Sequence, residues 1–110
     1  MSYRVAFITH PDCALHHTGA HHPEQPQRLA AISDRLIACG LNDYLLHIDA
    51  PLVSAEQLVR VHTQAHIDAI EAAAPVVGLR YLDGDTSMCP HTLNAAKRAA
   101  GAVIRAVDMV

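Results

Sequence analysis

Histidine is the residue type that stands out. The chain holds nine, and five of them, His10, His16, His17, His21 and His22, crowd one short stretch. Imidazole moves protons near neutral pH and ligates metals. With Asp12 and Cys13 beside His10, a metal site in this stretch is one reading. Adjacent histidines on irregular chain hold metals loosely, however, and no fixed carboxylate–histidine spacing is present. Polar loop residues that shape an entrance are the plainer reading. His62 and His66 are four apart, but Thr63 between them reads as a helix cap, which makes both structural. Asp83 and Asp85 flank Gly84, where an aspartate commonly satisfies backbone N–H groups in a turn. Arg28, taken alone, is a first-turn helix arginine on a surface. Cys13, Cys39 and Cys89 are odd in number and form no CxxC pair, so neither a disulfide framework nor a zinc knuckle is indicated. Cys39 and Cys89 read as small core residues.

These residues must be positioned by 110 residues of ordinary globular composition, 51% hydrophobic and 17% charged, with a net charge of −3. One small domain is the expectation. The pI of 6.3 and the scattering of the eight Lys and Arg residues exclude a basic nucleic-acid surface. No apolar run reaches the length of a membrane span. Met1 to His10 lacks the pattern of a signal peptide, so a cytoplasmic protein is expected. With only 4% aromatics and abundant alanine, the core should come from closely packed helices.

Tyr3 to Ile8 predicts a strand whose continuous apolar run Val5–Ile8 suits burial on both faces. Cys13 to Gln25 is a long polar loop, and long ordered loops are often functional. Pro26 suits the first turn of a helix and Gly40 the position past its end. Leu29, Ile32, Leu36 and Cys39 supply its apolar face. Leu45 to Ile48 reads as a second strand or an extended connector. Ser54 and Gln57 have capping-box spacing for a short helix to about Val61, and Thr63 caps another from Gln64 to Ala74, stopped by Pro75. Val76 to Asp85 reads as a loop. A long helix then runs from Thr92 to about Met109, with Leu93, Ala96, Ala100, Val103, Ile104 and Val107 along one side. Gly101 inside it costs roughly 1 kcal/mol against Ala, which suggests close approach of another element. One or two strands among mostly helices do not make a complete α/β domain.

Four segments carry a family resemblance. His22-Pro23-Glu24-Gln25-Pro26-Gln27-Arg28-Leu29 resembles the HPExPxRL signature of histone deacetylases and their bacterial relatives, among them acetoin-utilization proteins and acetylpolyamine amidohydrolases. Ala31 to Leu41 resembles the helix ending in Gly-Leu. Val61-His62-Thr63-Gln64-Ala65-His66-Ile67 is similar to a stretch that follows it. Asp83-Gly84-Asp85-Thr86, with Asn94-Ala95-Ala96 and Ala99-Ala100-Gly101-Ala102, resembles the family's DxDT region and the helix after it. The four occur in the family's order and cover nearly the whole chain, with the closer match to the class II and bacterial branch.

The resemblance implies an α/β fold, namely the N-terminal portion of the three-layer arginase–deacetylase architecture, with residues 1–110 an incomplete fragment of that domain. It implies a zinc-dependent deacetylase acting on acetyl-lysine-like or acetylpolyamine amides, in which zinc activates the attacking water. The two Asp and one His that hold the zinc, the proton-handling His pair and the oxyanion-binding Tyr are expected beyond Val110. This chain alone is therefore expected to hold no catalytic residue, to bind no zinc and to be inactive. His16-His17 and His21-His22 precede the HPExP segment, which is the wrong context for the catalytic pair. Two roles carry over by position. Asp85 matches the rim aspartate that accepts the substrate's backbone N–H groups, as a carboxylate does well. Arg28 matches an arginine of the acetate-release channel, where a guanidinium suits a small carboxylate. The alternative is a non-catalytic helical module that acts by self-association, and self-association of the fragment is expected in either case.

Overall fold

The computed structural model describes residues 4–110, so Tyr3, the expected start of the first strand, lies outside the described residues. Strand β1, Val5–Thr9, stops at His10. The His10 Nδ1 accepts the Asp12 N–H at 3.0 Å and opens a 3-10 turn, Pro11–Ala14, which runs into the first residues of the polar loop expected from Cys13. Helix α1, Gln27–Ala38, follows that loop. Gly40 takes φ +81° just past the Cys39 cap, the left-handed conformation that favours glycine there. Strand β2, Leu45–Asp49, pairs in parallel with β1, from Val5 opposite Leu45 to Thr9 opposite Asp49. The extended Leu45–Ile48 segment is therefore a strand, and β1–α1–β2 is the crossover that parallel pairing needs.

Helix α2, Ala55–Leu58, starts with both halves of the capping box: Ser54 Oγ accepts the Gln57 N–H at 3.1 Å, and Gln57 Oε1 accepts the Ser54 N–H at 2.9 Å. It ends short of Val61. Helix α3, Gln64–Ala73, is capped by Thr63 Oγ1, which accepts the His66 N–H at 3.2 Å. The supposed loop Val76–Asp85 contains β3, Arg80–Tyr81, paired antiparallel with β4, Ser87–Met88. Two-residue strands are too short to leave an alternating pattern in sequence. Helix α4 runs Thr92–Met109, as its spacing predicted.

The buried apolar side chains are Ala50, Val53, Met88, Cys89 and Ala95. They gather where the ends of β2 and β4 meet the first half of α4. The face of α4 that turns inward is not the one its large apolar residues predicted. Ala95 and Gly101 are buried, whereas Val103 and Val107 are each 65% exposed. The reason is backbone proximity. A Cβ on Gly101 would collide with the Pro51 carbonyl oxygen and lie 3.1 Å from Val53 N. That approach lets the Val53 N–H donate to the Lys97 carbonyl at 3.1 Å. On the same side, Arg98 donates from Nε to Asp12 Oδ2 and from Nη1 to the Ala50 carbonyl, each at 3.0 Å. Small residues and one arginine, not bulk, select the inward face.

Three further expectations change. No residue of β1 is buried, and Val5 is 67% exposed, because among the described residues its sheet has two strands and leaves both long edges unpaired. No residue of α1 is fully buried: Leu29 and Leu36 are half-buried, and Ile32 and Ile37 stay open to solvent. Cys39 caps α1 at the surface and is no core residue, while Cys89 is fully buried. The accessible surface is 7834 Å² against roughly 5900 Å² for a compact monomer of this mass. The radius of gyration is 15.9 Å against about 13 Å. Both values mark a thin core with uncovered apolar faces. No helix among the described residues is long and apolar enough to cross a membrane.

The Gly101 contact has a measurable sign. Gly101→Ala gains about 1 kcal/mol of helix propensity, but forcing a methyl against fixed backbone costs typically about 1–3 kcal/mol or more. The variant should unfold at lower urea than the parent protein. An unchanged or raised midpoint would contradict the close approach.

Candidate substrate rim and channel

Two loops meet above the start of α4. The first is the polar loop before α1. Thr18 Oγ1 donates to the Glu24 carbonyl at 2.7 Å, and the Glu24 N–H donates to His22 Nδ1 at 3.0 Å. The second is the turn between β3 and β4. The Leu82 N–H donates to the Thr86 carbonyl at 2.8 Å, and Asp83 Oδ1 accepts both the Asp85 N–H and the Thr86 N–H at 2.8 Å. These bonds, the one from Asp85 first and that from Thr86 next, hold the Asp83 carboxyl below its ordinary range. Asp83 is thus the aspartate that satisfies the turn's own backbone, and Asp85 is released from that task. The Asp85 side chain is 93% exposed.

The loops are joined by one side-chain bond, between His22 Nε2 and Asp85 Oδ1 at 3.0 Å. Because Nδ1 already accepts a backbone N–H, Nε2 is the nitrogen that carries hydrogen, and His22 donates to the carboxylate. This bond was not legible in the sequence, since its partners are 63 positions apart.

Arg28, in the first turn of α1, places Nη1 3.0 Å from both carboxylate oxygens of Glu24. The pair is about half exposed on each side, so its direct worth to stability is small. Arg28 faces a hollow of about 360 Å³ that also touches Cys13, Leu29 and Ala99. Asp85 borders a neighbouring hollow of about 350 Å³, beside His22, Ser87 and Met88. His16, Glu24, Thr92 and Ala96 line both hollows. The structure therefore places Asp85 and Arg28 on adjoining concavities. It does not bring them into contact.

Thr92 braces the wall between them. Its Oγ1 lies 2.7 Å from His16 Nδ1 and accepts the Cys89 N–H at 2.8 Å. Burial opposes ionisation of Cys89, but the bond from Thr92 and the backbone groups of His17, His91 and Thr92 outweigh it and set the thiol below its ordinary value. The loop-metal reading loses its donors to the scaffold: Asp12 Oδ2 is taken by Arg98, and His10 Nδ1 by the Asp12 N–H. Among the described residues no three His, Cys, Asp or Glu side chains converge.

The chain is similar to known proteins over most of its length. The model of the histone deacetylase domain matches residues 22–110. Histone deacetylase 15 of Arabidopsis thaliana is 35% identical over 81 residues, covering 73% of this chain and 14% of that protein. The human polyamine deacetylase HDAC10 is 34% identical over 106 residues, covering 91% of this chain and 14% of that protein. Among solved structures, the HDA15 HD domain superposes with a TM-score of 0.76 at 29% identity, over 91% of this chain and 30% of that one. The chain spans about a seventh of the length of these two curated relatives. Its α/β architecture is part of the fold of that solved deacetylase domain, and the chain belongs to the histone deacetylase domain family.

Proposed function

We propose that this chain supplies the substrate rim and the inner-channel wall of a zinc-dependent deacetylase whose substrates are acetylated amines, either acetyl-lysine in peptides or acetylpolyamines. The observation that carries the reading is the division of labour between the two aspartates. Asp83 Oδ1 takes the turn's two N–H groups, and Asp85 is left projecting beside a hollow. An exposed carboxylate with one oxygen engaged keeps acceptor sites for a substrate's backbone amides. Arg28 is the channel residue. A guanidinium has five N–H groups, so pairing with Glu24 through Nη1 leaves donors for a released carboxylate. Family membership and the human polyamine deacetylase among the relatives support the substrate class. The metal and its chemistry come from other parts of the complete enzyme.

The test uses the full-length protein. Hydrogen bonds to a charged acceptor contribute roughly 1.5–3 kcal/mol, so Asp85→Ala should lower kcat/KM on an acetyl-lysine peptide by about ten- to a hundredfold. Zinc content should not change. A small acetylated amide without flanking backbone should be nearly indifferent. Asp83→Ala loosens the turn that carries Asp85, and its loss should be the smaller one. Zinc loss in Asp85→Ala, or a larger loss in Asp83→Ala, would sink the assignment.

The 110-residue chain expressed alone should hold no stoichiometric zinc and should not hydrolyse a fluorogenic acetyl-lysine substrate. Turnover that vanishes with chelator and returns with zinc would refute this.

A second reading, a non-catalytic self-associating module, draws on the apolar exposure of Val103 and Val107 on α4 and of Ile37 on α1. Light scattering on the isolated chain should show a dimer or larger species. A clean monomer at high micromolar concentration would count against association.

A further inference from the structure

We infer that His22 is a positioning residue for Asp85: its Nε2–H donates to Oδ1 and fixes the carboxylate in the orientation that meets substrate N–H groups. The inference rests on the rim reading of Asp85 and extends it to a residue outside the turn. An aspartate that is 93% exposed would otherwise sample several rotamers, and ordering it at each binding event costs conformational entropy. His22 is a suitable anchor because it is itself held. Its side chain is only 25% exposed, and its Nδ1 accepts the Glu24 N–H. The Thr18 hydroxyl bonds the Glu24 carbonyl, so the loop behind the imidazole is fastened as well. The bond uses one site on Oδ1, while a carboxylate offers about four lone-pair sites. Acceptor capacity for two N–H groups therefore remains. The arrangement has the logic of a supporting contact that preorganises a binding group.

The bland alternative is that the bond only ties the two loops together. A comparison of substrates separates the two. In the full-length protein, His22→Phe removes the donor, and His22→Gln keeps one near the position of Nε2. On the acetyl-lysine peptide, His22→Phe should lower kcat/KM by about three- to tenfold, less than Asp85→Ala because the carboxylate remains and only its ordering is lost, mainly through KM. His22→Gln should recover much of it. On the small acetylated amide, both variants should match the parent. In an Asp85→Ala background, His22→Phe should have no further effect, because the group it positions is gone. Equal losses on both substrates, or an undiminished loss in the Asp85→Ala background, would mean a structural role and overturn the inference. Damage from Asp85→Ala with none from His22→Phe would overturn positioning alone and leave the rim reading standing. Normal peptide turnover in Asp85→Ala would overturn the rim reading and this inference with it.

Discussion

The Arg98 guanidinium ties its own helix to two segments that the chain visits far earlier. Asp12 follows β1, Ala50 follows β2, and Arg98 lies on α4. Hydrogen bonds to a charged group contribute about 1.5–3 kcal/mol each where both partners are partly withdrawn from water, and Arg98 and Asp12 are 22% and 28% exposed. With five buried apolar side chains among the described residues, such a contact has little competition. It sets where α4 lies against the sheet. Gly101 then admits the Pro51–Val53 backbone, and Thr92 at the other end of the seam bonds His16 of the polar loop and the Cys89 N–H that follows β4.

The elements with local causes were legible in sequence. Ser54 with Gln57, Thr63, Gly40 and Pro75 act within one turn of chain, and the helix boundaries they imply agree with the structure to within a few residues. The closeness implied by Gly101 was legible too, although not the identity of its neighbour. The inward face of α4 was not. Leu93, Ala96, Ala100, Val103 and Val107 make the stronger hydrophobic stripe, but a stripe states which face would gain by burial, not which face finds a partner. The two-residue strands β3 and β4 exist only as a pair, so neither has a signature of its own.

The candidate site shows the same division. Asp85 and Arg28 were singled out by family resemblance, and residue type alone did not separate Asp85 from Asp83. The separation lies in two backbone N–H groups that both point at Asp83 Oδ1. His22 carried no signal as a partner of Asp85, because 63 positions of chain lie between them. Within the loop, the spacing of His22 and Glu24 is short enough for a side-chain to backbone bond of the kind turns favour. Glu24 thus serves twice, its N–H bonding His22 and its carboxylate pairing with Arg28.

The 86-residue separation between Asp12 and Arg98 has a consequence for the order of synthesis. A ribosome adds about 5–20 residues per second, so the Pro11–Ala14 turn waits roughly 4–17 s before its anchor has been made. Strand β2 reaches β1 well before that, but two strands with no third element are marginal in water. During that interval the segments that become α1, α2 and α3 lack the element they pack against, and helices this short are marginal alone. The histidine-rich loop, about half of it polar with four histidines, Thr18, Glu24 and Gln25 between Cys13 and Gln25, offers no long apolar run for aggregation while it waits. Its position upstream of every residue it must meet is tolerable for that reason.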